Sequence, residues 1–209
     1  MNEFYEVLAS SYLDDNFTCC MPSEDAQYLT VHPLCPKCGA RIGFNYWVEP
    51  KRIILSRPKY GDFVTGVTLL VSENFKEAYE KSSLIGIRRF MQVEICKVRH
   101  IRKDPPLPPK YYSLKLGYSF ARVDLKKSVI IGQRNKRFCK LCNPLSSTPD
   151  KIDGLYIDDS NWGGEDIFHL HERGAIVYVS QKFVDFCLEN EFTNFLYVNT
   201  REVKYGDFD

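Results

Sequence analysis

The chain has 209 residues, with 28 Lys+Arg against 27 Asp+Glu and a formal net charge of +1. That balance gives no global drive toward nucleic acid or an anionic membrane. A 44% hydrophobic share with 14% aromatics suits an ordered globule with a sizeable core and excludes a disordered tail protein. Apolar runs stay short of the ~18–20 residues that a membrane span needs. Met1-Asn2-Glu3-Phe4 lacks the basic start and apolar core of a signal peptide. Eight cysteines, four of them at metal-ligand spacing, fit a reducing compartment, so the expected location is cytoplasmic.

In chain order, residues 3–9 read as an opening strand and Asp14 to Glu24 as a polar loop. Tyr28 to Val31 is a short strand that runs into Cys35-Pro36-Lys37-Cys38-Gly39, and Ile42 to Val48 is a strand leaving that turn. Thr65 to Val71 is rich in β-formers, and Ser72 then supplies a helix N-cap. Phe75, Ala78 and Tyr79 fall at i, i+3 and i+4, one face of a short helix ending near Ser82 and Ser83. Gly86 marks a turn, and Phe90 to Val98 returns as a strand. After the proline-rich turn Pro105 to Pro109, Tyr111 to Phe120 and Arg122 to Ile131 read as strands. Cys139-Lys140-Leu141-Cys142-Asn143 follows, then a loop from Pro144 to Trp162, then a strand from Ala175 to Val179 with Ser180 as the next N-cap.

The two Cys-x-x-Cys pairs carry the most specific chemistry. Each tight turn aims two sulfurs at one point, so Cys35, Cys38, Cys139 and Cys142 suit one tetrahedral Zn²⁺. Gly39 stands where such a turn needs positive φ, and Asn143 is the next most tolerant residue at the equivalent place. Closing a loop as long as Cys38 to Cys139 costs roughly 4 kcal/mol of chain entropy. A structural Zn²⁺ site supplies an apparent ~10–16 kcal/mol, so the metal can clasp the chain across that gap. With four thiolates no coordination position stays open, and the metal is structural. Unrelated thiols, disulfides or a redox centre are the competing readings. A redox pair opens a helix after a strand, whereas Pro36 follows Pro33 in a loop and Pro144 follows the second pair closely.

An internal echo joins distant parts of the chain. Val71-Ser72-Glu73-Asn74-Phe75 matches Val179-Ser180-Gln181-Lys182-Phe183 at a constant offset of 108 residues, and Leu84 with Phe192 and Ile87 with Phe195 continue it without a gap. Both copies read strand, Ser cap, amphipathic helix, turn, strand. Two copies are fewer than a stacked solenoid needs.

Catalytic signatures are absent: the chain has no phosphate-binding Gly loop, nucleophile elbow or His-Glu-x-x-His. His169 and His171 flank Leu170 next to Glu172; on a strand both rings point to one face, as a second metal site or acid/base pair requires. The basic runs at Lys97 to Lys103, Lys126-Lys127 and Arg134 to Arg137 lack the aromatic spacing of an RNA-binding sheet and read as solvated faces. The stretch from Asp150 to Asp166 holds six carboxylates around Tyr156 and Trp162. It is either a hydrated loop or a binding rim, with Tyr156 and Trp162 as anchors and Asp158 and Asp159 facing a basic partner.

Paired Cys motifs far apart, then Trp162-Gly163-Gly164-Glu165-Asp166-Ile167-Phe168 and Ile176-Val177-Tyr178-Val179-Ser180-Gln181-Lys182-Phe183, resemble the double-CXXCG motif family. Pro108-Pro109-Lys110-Tyr111-Tyr112 and Gly61-Asp62-Phe63 add to the likeness, which spans roughly residues 30 to 200. One departure is Asn143, where the family name demands Gly. The family is associated with immunity proteins of bacterial polymorphic-toxin systems. The resemblance therefore implies a non-enzymatic cytoplasmic protein that binds and neutralises a cognate protein toxin; the short apolar runs and near-zero charge add the expectation of no membrane partner.

The expected fold is a single α+β domain over residues 1–209, with mixed and antiparallel sheets, short helices and the two strand–helix–strand echoes. A split Cys₄ zinc knuckle joins residues 33–44 to 137–145. The competing functions are a zinc-ribbon nucleic-acid-binding regulator and an enzyme using His169 and His171.

Overall fold

The computed structural model describes residues 2–9, 17–27, 34–39, 48–99, 106–131 and 151–206. In chain order the first elements are β1 (Phe4–Ala9), β2 (Cys20–Pro22), β3 (Lys51–Leu55), β4 (Phe63–Val64), β5 (Leu70–Ser72), α1 (Glu73–Lys81) and β6 (Ile87–Val98). Next come β7 (Tyr111–Leu116), β8 (Arg122–Val123), β9 (Val129–Ile131), β10 (Lys151–Asp153), β11 (Ile157–Asp158) and β12 (Ile167–Phe168). The last are β13 (Tyr178–Ser180), α2 (Gln181–Glu189), β14 (Phe195–Asn199) and β15 (Lys204–Tyr205), with 3₁₀ turns at His171–Arg173 and Thr200–Glu202. The class is α+β, as the alternation of apolar strands with two short amphipathic stretches predicts.

Two sheets carry the architecture. One has the order β2-β3-β6-β7-β5-β4, antiparallel except for the parallel pair β3–β6. The other, β12-β13-β1-β14, is antiparallel throughout. Smaller ladders join β15-β10-β9 and β11-β8. Side chains alternate across each strand, and here each large sheet carries a buried cluster on both of its faces, while much of β6 stays exposed. Tyr5, Val7, Ile167 and Val179 from one sheet meet Phe63 and Val71 from the other in a central core around α1 and α2. The opposite faces carry two further cores, one around Phe4, Phe168 and Tyr178, the other around Val64, Leu70 and Tyr111. Burial on both faces is why Ile176 to Val179 reads as a continuous apolar run.

The echo is a structural repeat. Leu70–Ser72, Glu73–Lys81 and the start of β6 at Ile87 correspond residue for residue to Tyr178–Ser180, Gln181–Glu189 and the start of β14 at Phe195. Ser72 and Ser180 are both extended N-caps whose hydroxyls accept the amide hydrogens of Phe75 and Phe183, at 3.2 and 3.3 Å. Phe75 and Phe183 are both 0% exposed and face each other with ring centroids 6.0 Å apart. Each helix is followed by a turn with a positive-φ residue just before the next strand, Gly86 at +129° and Asn194 at +67°, and the second turn has another at Glu191, +54°. At Gly86 a Cβ would lie 2.0 Å from the carbonyl oxygen of Ile167, so glycine is required there.

Several elements depart from the sequence expectation. The polar loop of residues 14–24 contains β2, which pairs with β3. Arg122 to Ile131 is not one strand. Asp124 accepts the amide hydrogens of Lys126 and Lys127 and turns the chain, so β8 and β9 join different ladders. The loop ending at Trp162 contains β10 and β11, and the strand expected over Ala175 to Val179 begins only at Tyr178. The strands expected over 28–31 and most of 42–48 lie outside the described residues.

Ser72→Ala and Ser180→Ala should each cost ~1 kcal/mol in urea unfolding. Phe75→Ala and Phe183→Ala should each cost ~3–5 kcal/mol, because each ring sits at the centre of the core. Phenylalanine variants unfolding at the wild-type midpoint would contradict this description of the core.

Candidate functional site

Of the four proposed zinc ligands, Cys35 and Cys38 lie within the described residues, whereas Cys139 and Cys142, with Asn143, lie outside them. Residues 36–38 form a turn closed by the Gly39 amide donating to the Cys35 carbonyl at 2.9 Å. Gly39 has φ +68°, the left-handed value the motif requires. Cys35 is buried and Cys38 exposed. This turn fits one half of a thiolate clamp. Among the described residues no three His, Cys, Asp or Glu side chains converge as a metal site.

The acidic loop splits into parts with different work. Trp162 is half-buried, set edge-on against Phe4 at 5.1 Å and 90°, with its Nε1–H donating to the Glu165 carbonyl at 3.1 Å. It therefore belongs partly to the Phe4 core as well as to the surface. Asp159 accepts from both the backbone amide and the side-chain amide of Asn2, at 3.1 and 2.8 Å, and these bonds hold its carboxyl below the ordinary value. Asp158 is exposed and accepts the Ser160 amide hydrogen, a local turn contact. Tyr156 is half-buried, its backbone fixed by Ser128 and Asp124. Tyr156 and Trp162 open on different hollows, and Asn2 borders both.

The Trp162 hollow is a groove of about 310 Å³. Glu3, Ile85, Trp162, Asp166, Gln181 and Lys182 line it, and Ile85 is 51% exposed. At its floor the buried Asp166 accepts from Ser180 and from the Ile85 amide, and Lys182 lies 3.8 Å away. The groove thus draws on α2, the two residues before β1, the loop before β12 and the turn after α1. Sequence reading missed Glu3, Ile85 and Gln181, because only the tertiary fold brings them beside Trp162.

The two histidines do not form a strand face, correcting that reading. His171 opens a 3₁₀ turn, and Leu170 precedes it as the extended cap. Both rings nevertheless meet Tyr118, His171 stacked at 4.8 Å and 20°, His169 tilted at 5.6 Å. His169 Nδ1 sits 2.7 Å from the Ile176 carbonyl oxygen, which can only accept, so that nitrogen carries the proton. Burial holds His169 below the usual imidazole value, and burial together with Arg122 does the same to His171. Glu172 is buried and paired with Arg122 at 2.9 Å; burial raises its carboxyl and Arg122 offsets part of the rise. These neighbours describe a packed, anchored His169, whereas the buried Nδ1 of His171 has no hydrogen-bond partner among the described residues.

On the β6 face, Arg52 is paired with Asp25 and Glu94, and Arg89 with Glu49. Paired carboxylates dilute the positive field that phosphate binding requires.

Two depressed imidazoles set the pH dependence. The unfolded chain takes up protons that the folded one refuses, so stability should fall as pH drops through about 6.5. The raised Glu172 acts in the opposite sense, costing stability as pH rises from about 4.5. His169→Asn, which keeps a donor for Ile176, should reduce the loss of urea midpoint between pH 8 and pH 5.5. An unchanged slope would show that His169 is not responsible.

No model of a known protein family and no curated protein matches this chain.

Proposed function

We propose that this chain is a non-enzymatic, cytoplasmic binding protein of the immunity type, which neutralises a cognate bacterial toxin by covering it in stoichiometric amounts. The observation that carries this reading is the groove beside Trp162. A large aromatic is held rigidly by Phe4 and Glu165, and a half-exposed Ile85 lines the same groove together with Glu3. Interface anchors are enriched in such pre-positioned Trp side chains, because little side-chain entropy is lost on binding. The motif resemblance supports the same class, and the segment Trp162-Gly163-Gly164-Glu165-Asp166, which carries part of it, contributes Trp162, Gly164 and Asp166 to this groove. The anchored state of His169 and the Arg122 pairing of Glu172 favour binding over acid–base chemistry.

Cys35, Cys38, Cys139 and Cys142 would hold one structural Zn²⁺, which would tie the two turns together and leave no open position for catalysis. The Gly39-closed turn at Cys35 and Cys38 supports this assignment.

Purified protein should contain about one Zn per chain, and Cys35→Ser or Cys139→Ser should release it and lower stability. A folded sample with under a few tenths of an equivalent, unaffected by Cys35→Ser, would exclude the metal. The binding reading is tested with a cognate toxin co-expressed with this chain. Protection should saturate near one copy per toxin, and Ile85→Asp should weaken binding by ~2–4 kcal/mol with the fold intact. Trp162→Phe, which keeps the contact with Phe4, should weaken it less. Protection by sub-stoichiometric amounts would overturn the mechanism, and unchanged affinity in both variants would exclude the groove.

A further inference from the structure

The correspondence between the two repeats extends beyond strand, helix and strand. Ahead of each repeat lies a short antiparallel partner in matching register, Phe63 opposite Val71 and Ile167 opposite Val179. An aspartate precedes each partner. Asp62 and Asp166 accept the hydroxyl of their own repeat's cap, Ser72 and Ser180, at 2.6 and 2.8 Å, and their carbonyls accept the cap amides at 2.9 and 3.0 Å. The second carboxylate oxygen crosses over. Asp62 accepts the amide of Thr193 in the other repeat's turn at 2.9 Å, and Asp166 accepts the amide of Ile85 at 3.0 Å. Thr193 and Ile85 are equivalent positions at the same 108-residue offset. Such reciprocity, with i touching j and j touching i, is the contact pattern of a two-fold dimer.

The inner strand of each sheet completes the match. β7 lies between β5 and β6, and β1 lies between β13 and β14. Tyr111, Tyr112 and Ser113 face Ser72, Val71 and Leu70; Phe4, Tyr5 and Glu6 face the equivalent Ser180, Val179 and Tyr178. Tyr112 donates to Glu73, the first residue of α1, at 3.2 Å, and Tyr5 donates to Gln181, the first residue of α2. The amides of Leu114 and Val7 bond the carbonyls of Leu69 and Val177, again at equivalent positions.

We infer that the domain is a fused pseudo-dimer of one β–β–α–β–β unit, circularly permuted in its second copy. The first unit, β4-β5-α1-β6-β7, is continuous, whereas β12-β13-α2-β14 is completed by β1 from the far end of the chain. β1 is thus a complementing strand, and its Tyr5 adds a hydrogen bond to the first residue of the second helix. The equivalence also shows where the halves have diverged. In the first unit Lys110 is paired with Glu73 at 2.9 Å. The equivalent residues in the second, Glu3 and Gln181, instead line the groove beside Trp162.

Amide hydrogen exchange on the full chain tests this. Asp62→Asn should speed exchange at Phe75 in its own unit and at Thr193 in the other, and Asp166→Asn at Phe183 and Ile85, each about tenfold or more. Tyr5→Phe should loosen the first turn of α2 as Tyr112→Phe loosens that of α1, a pair of mild variants that keep both rings. Exchange gains confined to the substituted residue's own unit in both aspartate variants would overturn the inference. So would a Tyr5→Phe protein whose α2 exchanges at the wild-type rate while Tyr112→Phe accelerates α1.

Discussion

The contact between Phe75 and Phe183 is the constraint on which the rest of the structure depends. The rings are fully buried, 6.0 Å apart, and each is the third residue of a nine-residue helix. Helices this short are marginal alone, so a cap and a buried face must fix them. Ser72 and Ser180 supply the caps, and the two sheets supply the walls. Phe63 stacks on Phe195 at 4.5 Å, and Phe75 also meets Phe192 and Phe195, so the second repeat's aromatics seat on the first repeat's helix. Neither repeat buries its own helix without the other.

That shared core positions the candidate binding surface. Ile85 reaches the groove because the turn after α1 is held by Asp166, which also anchors the cap of α2. Trp162 is fixed because its ring leans on Phe4 of β1, a strand delivered from the opposite end of the sequence. The surface is therefore assembled from both repeats, and its rigidity follows from the core beneath it. The buried pair of Glu6 with Arg173, joined by the Tyr178 hydroxyl, braces β1 and β13 from the other face of the sheet. Removing one member of such a pair leaves a buried charge uncompensated.

What was legible in the sequence is what depends on local chemistry. Ser72 and Ser180 announced their helices because an N-cap needs a short hydroxyl side chain just ahead of an apolar periodicity. Gly39 announced its conformation because few other residues tolerate positive φ. Less legible were elements that exist only through distant partners. β10 is three residues long and holds by pairing with Ile130 and Tyr205 on either side of Ile152. The aspartate clasps were hidden because Asp62 precedes its serine by ten residues and Asp166 by fourteen, so no fixed spacing links them. Tyr5 and Tyr112 could not be matched by any single offset in the same direction, since the strand that carries Tyr5 is displaced to the front of the chain. For the site, Trp162 and its carboxylates were visible as composition, while Glu3 and Ile85 joined them only through the fold.

Differential scanning calorimetry tests the claim of one shared core most directly. Two repeats that bury their helices against each other must unfold together, so the calorimetric enthalpy should equal the van't Hoff enthalpy of a single transition. Phe75→Leu should lower that transition as a whole. Two separable transitions, or a Phe75→Leu effect on only one of them, would contradict the account.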